Sequence, residues 1–120
     1  MENYKKSVGW IRSFKNAFDG VLFTYKTQNH LRFHLFAALV VVLCGLLFNI
    51  TKSEWLIIVY AIGSVIIAEI FNTAIEQVVD LISPEYNSLA GKAKDIAAGA
   101  VLIAALQAVI IGVIVFGSYI

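Results

Sequence analysis

Three stretches of the chain are almost free of polar side chains, and they predict membrane-crossing helices at about 34–50, 54–72 and 96–119. Each lies near the roughly 20 apolar residues that a bilayer requires of a helix. The first two are joined by "NITKSE" (49–54), where Ser53 is the expected cap of the second helix. The second run, "WLIIVYAIGSVIIA", passes directly into "AEIFNTAIEQVVD". Its helix is therefore expected to continue beyond the apolar part. The segment at about 80–95, "DLISPEYNSLAGKAKD", is expected to form a polar loop, with Pro84 stopping the second helix. In the third span Ala100, Ala104, Ala108 and Gly112 recur every four residues, a smooth stripe on which another helix can approach closely. Gln107 is a polar residue in mid-span, suited to an interhelical hydrogen bond.

Ahead of the first span the pattern changes. Ile11, Phe14, Phe18, Val21, Leu22 and Tyr25 recur at helical spacing, with Lys15, Asn16, Asp19 and Lys26 between them. With Trp10 as an interfacial anchor, this predicts an amphipathic surface helix over about 7–30. An ordinary packed helix is the competing reading.

Composition sharpens the class. Apolar residues make up 60% of the 120 residues and charged residues 14%. Soluble domains run near 45–50% and about 25%. One all-α integral membrane domain over 1–120 is expected, with no secretory signal. Lys5, Lys6, Arg12, Lys15, Lys26 and Arg32 precede the first span, Lys92 and Lys94 follow the second, and the 49–54 link carries only Lys52. Three spans put both basic segments on one side, which is then cytoplasmic, and the C-terminus on the other. Cys44 lies in an apolar run and reads as a packing residue.

The chemistry concentrates at the end of the second span. Glu69, Asn72, Glu76 and Asp80 share one helical face, within roughly 80° of arc, over about 16 Å of axis. A carboxylate at membrane depth costs about 2.5–3.5 kcal/mol, and three on one face repel one another unless protonated, hydrogen-bonded or holding a cation. Oxygen ligands alone, without Cys or His on that face, suit a hard ion such as Mg²⁺. Helix-to-helix polar contacts are the bland alternative. Lys92 and Lys94 beside the carboxylates, with Asp95 at the start of the third helix, match what a metal-bound polyphosphate needs. No P-loop is present: a glycine would be needed where Tyr86 stands and a hydroxyl residue where Ala93 stands. The kinase catalytic-loop signature is absent as well.

"EIFNTAIEQVVD" followed by "EYNSLAGKAKDIAAGAVLIA" closely resembles the prokaryotic diacylglycerol kinase family, which includes undecaprenol kinases. The resemblance runs along nearly the whole chain. It implies a homotrimer that transfers the γ-phosphate of ATP, with Mg²⁺, to a lipid alcohol at the inner membrane of a bacterium. Three thin spans cannot enclose a site alone, so assembly also makes physical sense. By motif position Glu69 looks like the general base and Asn72 like the group that orients the base or the hydroxyl. Glu76 looks like a metal ligand, and Glu85, Tyr86, Asn87, Lys94 and Asp95 look like nucleotide and phosphate contacts. Where the family carries a second metal-binding Glu, "TQNHLRFH" (27–34) offers Gln28, whose amide oxygen can ligate but lacks the charge. His30 and His34 sit four apart; a zinc-like pair is weighed against polar residues at headgroup level, with His34 near lipid or a neighbouring helix.

Diacylglycerol is the expected acceptor and undecaprenol the alternative, with no nucleic-acid partner expected. A small proton-coupled transporter using Glu69 is the reading from another class. It gives no reason for "KAKD" beside "EQVVD".

Overall fold

The computed structural model describes residues 9–120, which form four α-helices in sequence: α1 (Trp10–Thr27), α2 (Asn29–Phe48), α3 (Lys52–Ile82) and α4 (Ser88–Gly117). Lys5, Lys6 and positions 7 and 8 of the expected surface helix lie outside the described residues. Helices α2, α3 and α4 are long and apolar enough to cross a membrane. At 1.5 Å per residue the 31 residues of α3 extend about 46 Å, well beyond a hydrocarbon core of roughly 30 Å. Its apolar part can therefore cross while its polar end projects.

The segment expected as a loop over 80–95 is mostly helix. α3 persists to Ile82, α4 starts at Ser88, and only 83–87 is non-helical. Pro84 stops α3 as expected. The reason α4 begins early is Asn87, whose side-chain oxygen accepts from the Leu89 and Ala90 amides at 2.9 and 3.2 Å, the usual work of an N-cap. Lys92, Lys94 and Asp95 therefore stand on the first turns of α4 rather than in a loop.

Ser53 is not the cap of α3; Thr51 is. Its hydroxyl accepts from the Glu54 amide at 3.2 Å, while the Glu54 carboxylate accepts from the Thr51 amide at 2.9 Å. "TKSE" is thus a reciprocal capping box.

α3 and α4 pack along one another, and α2 lies against α3. The tightest packing is at the end where α2 turns into α3. Ile50, Ile58 and Val115 are buried there, ringed by Phe48, Trp55 and Tyr119 among others. Phe48 stacks at 6.1 Å on Phe116 and 5.9 Å on Tyr119, and the Tyr119 hydroxyl donates to Glu54 at 2.5 Å. Gly45 permits the approach of α2 to α3: a Cβ there would lie 2.6 Å from the Trp55 ring.

Elsewhere most of the apolar surface is uncovered. Leu102, Ile103, Val109, Ile110, Val113 and Ile114 of α4 are all exposed. The half-buried positions of α4 include Ala104, Ala108 and Gly112. Ala108 lies three residues before Ile111 and Gly112 three before Val115, which join the core with α3, so part of the small-residue stripe serves the chain's own helix pair. The chain measures 58 × 40 × 21 Å. Its least dimension is about two helix diameters, so much of the surface of each helix stays uncovered.

Candidate functional site

The polar face of α3 runs from buried to exposed. Glu69 is 3% exposed, Asn72 and Glu76 are half-buried, and Asp80 is exposed. The order follows from the fold. Glu69 lies where α2 approaches α3, one turn before the buried Thr73 and 3.9 Å from His34, whereas Asp80 lies two residues before the end of α3.

Each polar residue has a different neighbour. The Asn72 amide nitrogen donates to the Glu76 carboxylate at 3.5 Å. Asn72 thus contacts Glu76 rather than Glu69. Asn72 Oδ1 is buried without a hydrogen-bond partner, an acceptor left open beside the Glu76 carboxylate. On its other flank Asn72 borders an apolar groove of about 560 Å³ between α3 and α4, lined by Phe71, Ile75, Ile96 and Ala100 among others. Glu69 does not line that groove. Its carboxylate instead faces α2, where His34 Nε2 stands 3.9 Å from Oε1. Thr73 donates its hydroxyl to the Glu69 backbone carbonyl at 3.0 Å, not to the carboxylate.

Beyond Glu76 the stripe meets α4. Lys94 Nζ pairs with Asp80 at 2.5 Å, and Glu76 adds to the attraction on that ammonium. Asp80, Glu85, Tyr86, Asn87, Gly91 and Lys94 share a small cleft of about 140 Å³. Four of the five expected nucleotide contacts thus converge. Asp95 does not line the cleft and is exposed on α4. Asn87 has its side-chain oxygen engaged in the cap of α4.

Gln28 forms the one-residue elbow between α1 and α2, with extended backbone angles of φ −116° and ψ 112°. Thr24 and Leu31, about one turn to either side, are buried. Arg32 fixes the elbow by donating to the carbonyls of Tyr25 and Lys26 at 2.8 and 3.0 Å, and to Asn29. No hydrogen bond or ion pair joins Gln28 to Glu76 among the described residues, and no three His, Cys, Asp or Glu side chains there converge as a metal cluster. The Glu76 carboxylate and the open Asn72 Oδ1 lie together on α3, and the Gln28 amide is a third oxygen donor, on the elbow. Their chemistry fits a hard divalent cation with part of its shell left to phosphate or water.

His34 escaped the sequence reading of the stripe because it arrives from another helix. His30, four residues earlier, is exposed and does not join it. The sequence signal was a histidine one position ahead of the first apolar run, at the depth where Glu69 ends the second.

A family model described as prokaryotic diacylglycerol kinase matches residues 15–116. The chain is 42% identical over 107 residues to an undecaprenol kinase of Bacillus subtilis, covering 89% of this chain and 87% of that protein. It is 41% identical over 101 residues to a diacylglycerol kinase of Synechocystis, covering 83% of this chain and 58% of that protein. The match to the diacylglycerol kinase of Escherichia coli K12 is 41% over 80 residues, 67% of this chain and 64% of that one.

Proposed function

The chain belongs to the prokaryotic diacylglycerol kinase family and is a membrane lipid kinase, and we propose that it transfers the γ-phosphate of ATP to a lipid alcohol at the cytoplasmic face of a bacterial inner membrane. The observation that carries this reading is the gradient along α3. A buried carboxylate, Glu69, sits at one end of the polar face and an exposed cleft holding Lys94 at the other. A lipid alcohol cannot leave the bilayer, and a nucleotide cannot enter it. One helix crossing the interface presents a group to each.

In this reading Glu69 takes the proton of the lipid hydroxyl. Lys94, the Asn87 amide and Tyr86 hold the nucleotide, with Glu85 and Asp95 at its edges. Asn72 fixes the Glu76 carboxylate. Glu76 and Gln28 would hold Mg²⁺, whose chemistry there would be to offset the charge of the phosphates. The charge balance supports that requirement. Asp80 and Glu85 contribute two negative charges to the cleft and Lys94 one positive, a set that repels a bare polyphosphate.

Topology and assembly complete the proposal. Arg12, Lys15, Lys26, Arg32, Lys92 and Lys94 lie in the segments flanking the α1–α2 elbow and the 83–87 joint, against Lys52 at the opposite end. The basic end is cytoplasmic by the positive-inside rule, and α1 lies in the interface with Phe14 and Phe18 toward lipid and Lys15 and Asp19 toward water. A homotrimer covers the flanks that a slab 21 Å thick leaves open.

Diacylglycerol is the proposed acceptor. Undecaprenol is the second reading, favoured by the Bacillus subtilis relative that the chain covers over 87% of its length. The test is transfer of radiolabelled phosphate from ATP in mixed micelles, with diacylglycerol and undecaprenol offered side by side. The expected product is a lipid phosphate that requires Mg²⁺, and the lane in which it forms decides the acceptor. Failure to phosphorylate either alcohol refutes the lipid-kinase reading.

A further inference from the structure

We propose that His34 is a positioning residue for Glu69 and its proton outlet: it holds the carboxylate toward α2 and carries away the proton that Glu69 takes from the acceptor alcohol. This rests on the assignment of Glu69 as the base.

A base that works repeatedly must lose its proton after every turnover. The Glu69 side chain is 4% exposed, so water cannot readily reach it from within this chain, whereas the His34 side chain 3.9 Å away is 20% exposed. The gap exceeds a hydrogen bond of 2.7–3.2 Å by about 1 Å, a distance that a small rotamer shift or one bridging water closes. Imidazole is the side chain suited to the task, because one ring nitrogen can accept a proton while the other releases one, a nitrogen for each side of a relay.

The other candidates are otherwise engaged or distant. The Thr73 hydroxyl bonds a backbone carbonyl. Asn72 bonds Glu76. On α1, Lys15 pairs with Asp19 at 3.1 Å, and Arg12 and Lys26 are exposed. On α2, Arg32 is engaged with the Tyr25 and Lys26 carbonyls and His30 is exposed. On α4, Lys94 pairs with Asp80. His34 is the ionisable side chain that faces the Glu69 carboxylate among the described residues.

The step balances. The alcohol oxygen forms its bond to the γ-phosphorus as the bond from that phosphorus to the β–γ bridging oxygen breaks, and ADP departs with that electron pair. The alcohol proton passes to the Glu69 carboxylate, then to His34, then to water, which restores the carboxylate and neutral imidazole.

The experiment uses full-length wild type, His34→Gln and His34→Ala in mixed micelles, with the acceptor that wild type phosphorylates. Both variants should lose about 100-fold in kcat, the lower end of the range of a lost proton-transfer group, with the KM for MgATP unchanged. Added imidazole should restore part of the turnover of His34→Ala, where a cavity admits it, and none in wild type. Packing loss alone would not be corrected by imidazole, and an unchanged MgATP KM marks a folded site even where kcat is low. If His34→Gln keeps kcat within about twofold of wild type, or if imidazole leaves His34→Ala unchanged, the proposal is overturned while the lipid-kinase reading stands. If wild type itself phosphorylates no lipid alcohol, that reading fails and this one with it.

Discussion

Replacing Glu69 by Gln separates the base from the rest of the site. The change keeps side-chain volume in a position only 3% exposed, so the local packing should survive. It also removes a charge whose facing ionisable group is His34 at 3.9 Å. Glu76 lies seven residues on, about 10.5 Å along the axis at 1.5 Å per residue, and binds Asn72 rather than Glu69. Nucleotide binding should therefore be unaffected. General-base assistance is worth about 10²–10⁴-fold, equivalent to about 2.7–5.4 kcal/mol of barrier at 1.36 kcal/mol per decade. The expected result is a kcat lower by that factor with the MgATP KM unchanged, measured by steady-state phosphate transfer in mixed micelles. Near-normal turnover of Glu69→Gln would falsify the base assignment, and the buried carboxylate would then have to be explained as a polar helix contact or an ion path.

Four further outcomes test the surrounding structure. Glu76→Gln should raise the Mg²⁺ concentration needed for half-maximal rate, and Gln28→Glu should lower it; unchanged Mg²⁺ titrations in both would remove these residues from the metal site. Lys94→Gln should raise the MgATP KM about 10–100-fold, the loss expected of a charge-assisted hydrogen bond of about 1.5–3 kcal/mol, and an unaltered KM would place the nucleotide elsewhere. Gly45→Ala forces a Cβ to 2.6 Å from the Trp55 ring and should destabilise the α2–α3 end by about 1–3 kcal/mol, read as a lower thermal midpoint in detergent with kcat at lower temperature retained. Ala104→Leu should lower both that midpoint and crosslinked trimer, because Ala104 is half-buried on α4; loss of trimer alone would assign the stripe to the assembly.

The helices were legible because their signals are local. Apolar runs of sufficient length set α2, α3 and α4, and the polar face of α3 followed from spacing alone. Two boundaries differ from the expectation although their signals are also local. "TKSE" contains the Thr and Glu of a reciprocal cap three residues apart, a signal that Ser53 alone does not carry. "PEYNSL" contains an Asn ahead of a helical run, but the polarity of 80–95 suggested a loop. A loop and the exposed first turns of a helix share a composition, and capping geometry distinguishes them.

The site was legible only as far as one helix carries it. Glu69, Asn72, Glu76 and Asp80 were identified together because a helix repeats, but their partners depend on how other helices cross α3. The Asp80–Lys94 pair joins positions fourteen apart, and the Glu69–His34 pair joins positions thirty-five apart. No local pattern encodes either distance. The same crossing that buries Glu69 beside His34 leaves Asn72 facing the opposite groove, so two residues one turn apart on a single stripe serve different neighbours. A base shielded from solvent and a nucleotide cleft open to it can therefore occupy the same polar face without competing for the same water.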